Sequence, residues 1–569
     1  MYLQIVLLIL LITAILAVAV IVGKYMAAVY KHERSPLDFL KQVEHFIFRV
    51  GGIDPQQEMT WKQYAVSLLV INGIWWILSF ALLLLQGSLP LNPAGNPSME
   101  WSLALNSSIS FLTSTNLQHY SGESGATYLT QIAVFTFLQF VSAATSLAAG
   151  VAIVRGLARK ASNSLGNFYS DLVLSVTRVL LPLCLLAGIL LMFCGVPMNF
   201  NKPQSITTLQ GDKVTVATGP VAAMLPIKEF GSNGGGFFGA NDAHPFENPN
   251  VASFIIHVFM VLLLPAAFIF FLGYYINQKK FSRMIILIMC VGVVLLTIPI
   301  ISQEIAGNPL QSKMGISVLS GNTEGKEVRF GSLLSSFYAG INVAIPAGTL
   351  VSMHDSYMPL SGISMLLGMQ IDAFFGGVGT GWINMLVFVI IAIFMGSLMI
   401  GRTPEVFGKK ITMRQIQLAM GIYIAQPLIC LGLTGITIFA YNNLNAAGAA
   451  PAWFSNNSSH NFTTVLYEFT SSFAGNGSGF EGLADNNVFW NLTTAVAMMA
   501  GRFIPVLGAL AIAGIMLRQR PTPYSAGTLQ TDSASFGVML FFVMVVLQVL
   551  SLFPALVLGP INEYLTQLS

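Results

Sequence analysis

The sequence predicts an all-α integral membrane protein of ten transmembrane helices. These form four fused helix–pore helix–filter–helix repeats around a pseudo-fourfold axis, plus one extra helix at each end. Three observations lead there. Of 569 residues, 54% are hydrophobic and 9% are charged, with a mean hydropathy of +0.72, against about 25% charged residues in soluble domains. Apolar runs of spanning length fall at 2–23, 63–86, 128–154, 172–194, 252–277, 284–303, 383–401, 415–441, 489–517 and 536–559, and about 20 such residues cross a bilayer. Between them, four clusters rich in Gly, Ser, Thr and Asn recur at long, similar intervals, which is the signature of an internal repeat.

The first run, "MYLQIVLLILLITAILAVAVIVGK", lacks a basic flank and a small-residue cleavage site and is longer than a signal-peptide core, so it is expected to stay as a helix. With the loop after it, it forms segment 1–62. The pore repeats are expected at 63–170, 171–282, 283–412 and 413–530, with the last helix in 531–569. Orientation follows from the basic loops. Eighteen Lys and Arg lie in one set of loops and six in the other, so the positive-inside rule places both termini on the extracellular side of a multi-pass cell membrane protein.

Each long outer loop then repeats one plan: a polar stretch, a segment too short to span, a polar cluster, and another spanning helix. The clusters are "LTSTNLQ" (112–118), "GSNGGGF" (231–237), "IPAGTLVS" (345–352) and "SSFAGNGSG" (471–479). With Thr115, Gly234, Gly348 and Gly477 as markers, they are spaced by 119, 114 and 129 residues. Irregular backbone is tolerated at membrane depth only where protein buries it or where it lines a watery path. Four such segments on one axis present rings of carbonyl oxygens that replace the hydration shell of a permeating cation. Glycine allows that close approach, and each short helix aims its negative C-terminal end at the same point. Glu123, Glu229, Asp242, Glu247, Asp355, Glu468, Glu481 and Asp485 flank the clusters and read as a cation-concentrating funnel.

Several function classes drop out. A net charge of +3 with no basic block gives no nucleic-acid partner. Cys184, Cys194, Cys290 and Cys430 sit in apolar runs without CxxC spacing, which supports neither a disulfide framework nor a zinc site. There is no phosphate-binding GxxxxGK[ST] motif, "GSGFEG" (477–482) has no strand–turn–helix context, and no catalytic residues or bound nucleotide are expected. His244 and His354 are read as braces of the outer loops. Arg178 and Arg502, within spanning runs, are expected to face protein interior. Arg402 either snorkels to the interface or blocks the axial route below the filter, and Asp372 is read as a vestibule acid or, in preference, as an intramembrane acid that guides cations.

At "NGGGFFGANDAHPFENP", "MHDSYMPLSG", "GGVGTGW", "MIGRTPEVFGKKI" and "AMMAGRF" the chain resembles the potassium-binding A subunits of Kdp potassium-importing ATPases, over essentially its whole length. The resemblance implies the wider superfamily of K⁺ transporters and a bacterial or archaeal cell membrane. It implies K⁺ as the transported ion, selected at Thr113, Ser114, Thr115, Asn116, Gln118, Ser232, Asn233, Gly234, Ala347, Gly348, Thr349, Asn476 and Gly477. It also implies an intramembrane tunnel, with Asp372 and Arg402 as gate or tunnel residues, leading to a P-type ATPase B subunit. A C subunit, a small F subunit and membrane lipid complete the expected partners. The first cluster lacks the aromatic residue that often precedes the family glutamine, and the third lacks the cysteine that often precedes the glycine. The rival reading is an autonomous Trk/Ktr-type K⁺ or Na⁺ transporter; a secondary symporter fits four similar clusters less well.

Overall fold

The computed structural model describes residues 2–449, 451–455, 459–520 and 529–568. Among them, ten helices are long and apolar enough to cross a membrane. They interleave with short helices, and in chain order the elements are α1 (Tyr2–Tyr30), α2 (Lys41–Val50), α3 (Trp61–Ser88), α4 (Trp101–Leu112), α5 (Thr130–Ala158), α6 (Phe168–Phe193), α7 (Val221–Phe230), α8 (Val251–Tyr275), α9 (Lys279–Lys313), α10 (Gly331–Ala344), α11 (Pro359–Ile371), α12 (Gly381–Met399), α13 (Met413–Ala446), α14 (His460–Ala474), α15 (Val488–Leu517) and α16 (Ala534–Thr566). All ten predicted spans are present. Sheet is confined to two hairpins, β1 (Gln204–Thr207) with β2 (Lys213–Val216) and β3 (Glu405–Val406) with β4 (Lys409–Lys410). The expected boundary between the fourth repeat and the last helix adjoins residues 521–528, outside the described residues.

Local chemistry starts the spans where the apolar runs begin. Thr60 with Gln63, Asn250 with Ser253 and Thr412 with Gln415 form capping boxes, and the Asn487 side chain accepts from Trp490 N at the start of α15, each satisfying amides the first turn leaves orphaned. Burial separates the layers. The most apolar windows of α5 and α8 are 89% and 83% buried, those of α1 and α3 only 17% and 22%, so α5 and α8 are interior and α1 and α3 face lipid. Small residues let α5 pack closely: a Cβ on Gly150 or Gly156 would collide with Trp382 or Ala513.

The pore helices α4, α7, α10 and α14 occupy corresponding places in the four repeats. The third repeat departs from the simple plan, because its second membrane segment is broken into α11 and α12 by residues 372–380. Between the first two spans, α2 is a ten-residue helix that the hydropathy pattern does not show. Its Glu44 receives Arg178 Nε at 2.5 Å and Nη2 at 2.7 Å, while Asp38 receives Nη1 at 2.7 Å. Arg178 is thus interior, as expected, and its charge is met by a loop helix.

Candidate functional site

The four clusters meet. In each repeat a carbonyl near the pore-helix C-terminus accepts from the amide five residues on: Ser110 from Thr115 at 3.1 Å, Lys228 from Asn233 at 2.9 Å, Asn342 from Ala347 at 3.1 Å and Ser471 from Asn476 at 3.0 Å. The repeated bond fixes the register, pairing Asn116 with Gly234, Gly348 and Gly477; the marker Thr115 is one residue early. Asn116, Gly348 and Gly477 all have left-handed φ, of 52°, 62° and 93°.

Backbones are within touching distance across the axis. Gly234 N donates to Thr115 O at 3.2 Å. A Cβ on Gly234 would lie 2.5 Å from Thr115 O and 2.6 Å from Asn476 O, one on Gly348 would strike Asn476 O, and one on Gly477 would strike Thr115 O. Bare backbone is a steric requirement here, as the glycines predict. Every predicted filter residue is buried except Gln118 and Gly477, which are half-buried.

Side chains mostly hold these strands rather than fill their centre. Ser114 Oγ donates to Ser142 Oγ at 2.8 Å, Thr113 and Thr115 hydroxyls are 3.0 Å apart, and Ser232 Oγ accepts from Val378 N at 3.1 Å. Gln118 bridges the first two repeats, accepting from Gly236 N at 2.8 Å and donating to Gly236 O at 3.0 Å. Asn476 Nδ2 donates to Asn342 Oδ1 at 3.1 Å, Asn342 Nδ2 donates to Thr349 O, and Thr349 Oγ1 lies 3.0 Å from Tyr338 Oη. Asn233 Nδ2 donates to Ile227 O at 3.0 Å. Asn116 alone of the predicted filter residues keeps both amide atoms buried and without a hydrogen-bond partner among the described residues.

Beneath the strands lies the glycine-rich stretch 372–380. Phe375 N donates to Ala344 O at 3.0 Å and Val378 N to Ser232 Oγ at 3.1 Å, which ties it to the inner ends of the second and third repeats. Asp372 is buried and accepts from Asn384 Nδ2 at 2.6 Å and Thr380 Oγ1 at 3.3 Å. Arg502 on α15 is also buried; its Nη2 donates to Ser142 O at 2.6 Å, and Nη1 is 3.8 Å from a Cβ built on Gly379. Arg402 lies elsewhere, exposed just beyond α12, with its amide donating to Ser397 O at 2.7 Å. Sequence reasoning identified Arg502 as interior but not its place between Ser142 and the 372–380 stretch.

The acids read as a funnel divide into two kinds. Glu229, Asp242, Glu247 and Glu468 are buried, so they do not form a solvent-facing funnel. The Lys228 ammonium, itself fully buried, sits 2.5 Å from Asp242, 2.8 Å from Glu247 and 3.5 Å from Glu229, with His257 against Glu229 and Asp242. Glu123, Asp355 and Asp485 are half-buried and Glu481 is exposed at the outer surface. His119 faces Glu468 and Asp485. Burial pushes its imidazole down, and the Asp485 and Glu468 carboxylates more than offset this, raising it to about 9. His244 stacks on Phe238 with centroids 3.8 Å apart, and His354 Nδ1 is 2.8 Å from Tyr467 Oη, so both brace the outer loops as expected.

Residues 8–565 match the family described as the potassium-transporting ATPase A subunit. The chain belongs to that family. It is 48% identical over 557 residues to the potassium-transporting ATPase potassium-binding subunit of Flavobacterium johnsoniae, covering 97% of each chain. The proteins of that name from Parabacteroides distasonis and Geobacillus kaustophilus are 44% and 42% identical, again over 97% of each chain. In fold, the chain is similar to the crystal structure of the potassium transporter TrkH from Vibrio parahaemolyticus, with a TM-score of 0.50 and 15% identity over 80% of this chain and 84% of that one.

Proposed function

We propose that this chain is the ion-selecting subunit of an ATP-driven K⁺ uptake complex. It takes extracellular K⁺ into the four-part filter and passes it sideways to a P-type ATPase subunit, with C and F subunits in the same assembly. The reading is carried by the convergence of four irregular backbone segments, each at the C-terminal end of a half-helix, on one buried point. There the carbonyls of Thr115 and Asn476 crowd Gly234, Gly348 and Gly477. Carbonyl dipoles and helix C-termini both favour a cation, and the family's relatives bear the name potassium-binding subunit.

The axial route is closed from below. The Arg502 guanidinium lies between α5 and the 372–380 stretch, where a fixed positive charge repels a descending cation. Arg502, rather than exposed Arg402, is therefore our candidate for the block. A polar line leads away laterally: Asp372 to Asn384, then a cavity of about 20 Å³ lined by Asn384, Gln426 and Gln548. Gln548 Nε2 donates to Gln426 Oε1 at 3.1 Å, and Gln426 Nε2 to Met369 O at 3.2 Å. That volume admits about one water-sized species, and its donors and acceptors are unusual inside a bilayer.

The test is to purify the tagged chain with its partners from native membranes and assay hydrolysis. K⁺-stimulated ATPase activity in the complex and none in the isolated chain supports the reading. A chain that carries K⁺ into liposomes by itself, driven by membrane potential, supports the Trk/Ktr-type alternative instead.

A further inference from the structure

One group of donor atoms near the filter serves none of the roles above. His119 follows the first filter strand, Glu468 lies on α14, and Asp485 lies in the loop leading to α15. The side chains of His119 and Glu468 are 0% and 1% exposed, while Asp485 is 27% exposed and opens the group to the filter side of the membrane. Asn491 fixes the imidazole. Its Nδ2 donates to Ser102 Oγ at 3.0 Å, which leaves Oδ1 to accept from His119 Nδ1 at 2.6 Å. Nε2 is thereby turned toward the two acids.

The distances there do not describe hydrogen bonds. Nε2 is 3.5 Å from Glu468 Oε1 and 3.9 Å from Asp485 Oδ2, beyond the usual range of roughly 2.7–3.2 Å. Nε2 and both Glu468 carboxylate oxygens are buried without a hydrogen-bond partner among the described residues, although buried polar groups are nearly always satisfied. The three donor atoms lie within 4.8 Å of one another; atoms bonded at about 2.0–2.2 Å to one common ion are at most roughly 4.4 Å apart, a limit that the 3.5 and 3.9 Å separations from Nε2 meet as they stand.

A second group with the same makeup sharpens the contrast. Glu229, Asp242 and His257 also bring their donor atoms within 4.8 Å, but the Lys228 ammonium occupies that site at 2.5 Å from Asp242. Among the described residues no Lys or Arg pairs with Glu468 or Asp485. One cluster holds a lysine ammonium among its carboxylates, and the other has only the imidazole.

We propose that His119, Glu468 and Asp485 form a binding site for a divalent first-row transition-metal ion of the Zn²⁺ or Mn²⁺ kind. The remaining coordination is left to solvent through Asp485. One imidazole nitrogen with two carboxylates favours such an ion over Mg²⁺ or Ca²⁺, which take oxygen ligands. Asn491 is the outer partner that orients the ring, as metal-bound histidines require. Binding displaces the Nε2 proton to solvent, and the ion takes over its charge. The site does not depend on how K⁺ passes the filter.

The test uses the purified complex, stripped with chelator and titrated with ZnCl₂ against a chromophoric zinc indicator. Wild type should hold one Zn²⁺ per chain at this site. His119→Gln and Asp485→Asn should each weaken binding at least tenfold, with Mn²⁺ competing and millimolar Mg²⁺ or Ca²⁺ not competing. Equal zinc stoichiometry and affinity in wild type and both variants overturns the site, as does equal displacement by Mg²⁺. If His119→Gln fails to fold, pulsed EPR of Mn²⁺-loaded wild type decides: imidazole nitrogen coupling supports the site, and oxygen-only coordination overturns it.

Discussion

Gly234→Ala adds one carbon where carbonyls from two other repeats crowd the glycine. That carbon would sit 2.5 Å from Thr115 O and 2.6 Å from Asn476 O. Carbon–oxygen contacts settle at roughly 3.3 Å, so the strands must part by about 0.7–0.8 Å. Forcing an extra methyl into packed structure costs about 1–3 kcal/mol. Because Thr115 O also accepts from Gly234 N, the displacement falls on the atoms that should ligate the ion. Half-saturating K⁺ should rise about tenfold or more, since 1.4 kcal/mol is a factor of ten, and Rb⁺ or NH₄⁺ should be discriminated less well. Gly234→Asp should be more severe. The assay is cation-stimulated ATP hydrolysis by the assembled complex against K⁺, Rb⁺, NH₄⁺ and Na⁺, with thermal melting as the folding control. A well-folded Gly234→Ala complex with unchanged half-saturation and ion order would refute the filter assignment.

Three further outcomes are expected. Arg502→Ala should raise passive K⁺ flux in liposomes severalfold without ATP while Arg402→Ala leaves it unchanged, and the reverse pattern would return the block to Arg402. Lys228→Met strips the cation from three buried carboxylates, a loss of about 3–5 kcal/mol; it should lower the melting temperature sharply, and a melt within 1–2 °C of wild type would show, by the few-degrees-per-kcal scale, that the ammonium is not what holds them. His460, 2.8 Å from Asp355 and 2.9 Å from Glu563, is lowered by burial and raised more by those carboxylates, to about 10. Its raised value means the stabilisation is complete below the ordinary histidine range and lost as pH passes 10, so His460→Gln should cost roughly 1–3 kcal/mol at pH 7 and little at pH 11, as read from paired melts.

The spans and clusters were legible because their signals are local: apolar length, caps such as Thr60 with Gln63, and glycines where backbones touch. Register was less so. "TSTNLQ" shares no glycine with the other clusters, and only the repeated five-residue hydrogen bond shows that Asn116, not Thr115, answers Gly477. The acids were misread because their counter-charges are invisible in a linear chain. Glu468 meets an imidazole 349 residues away, and Glu229 meets that of His257 across 28. The break between α11 and α12 escaped notice because the thirteen-residue α11 is too short to register as a span.

The buried ammonium of Lys228 does for its carboxylates what a bound metal ion does elsewhere. Scaffolds that rely on a bound ion to neutralise inward-facing carboxylates soften when that ion is removed. In the second repeat the neutralising charge is covalently attached, 2.5 Å from Asp242 and 2.8 Å from Glu247. The wall behind Gly234 therefore needs no external ion to balance its charge and keep its shape.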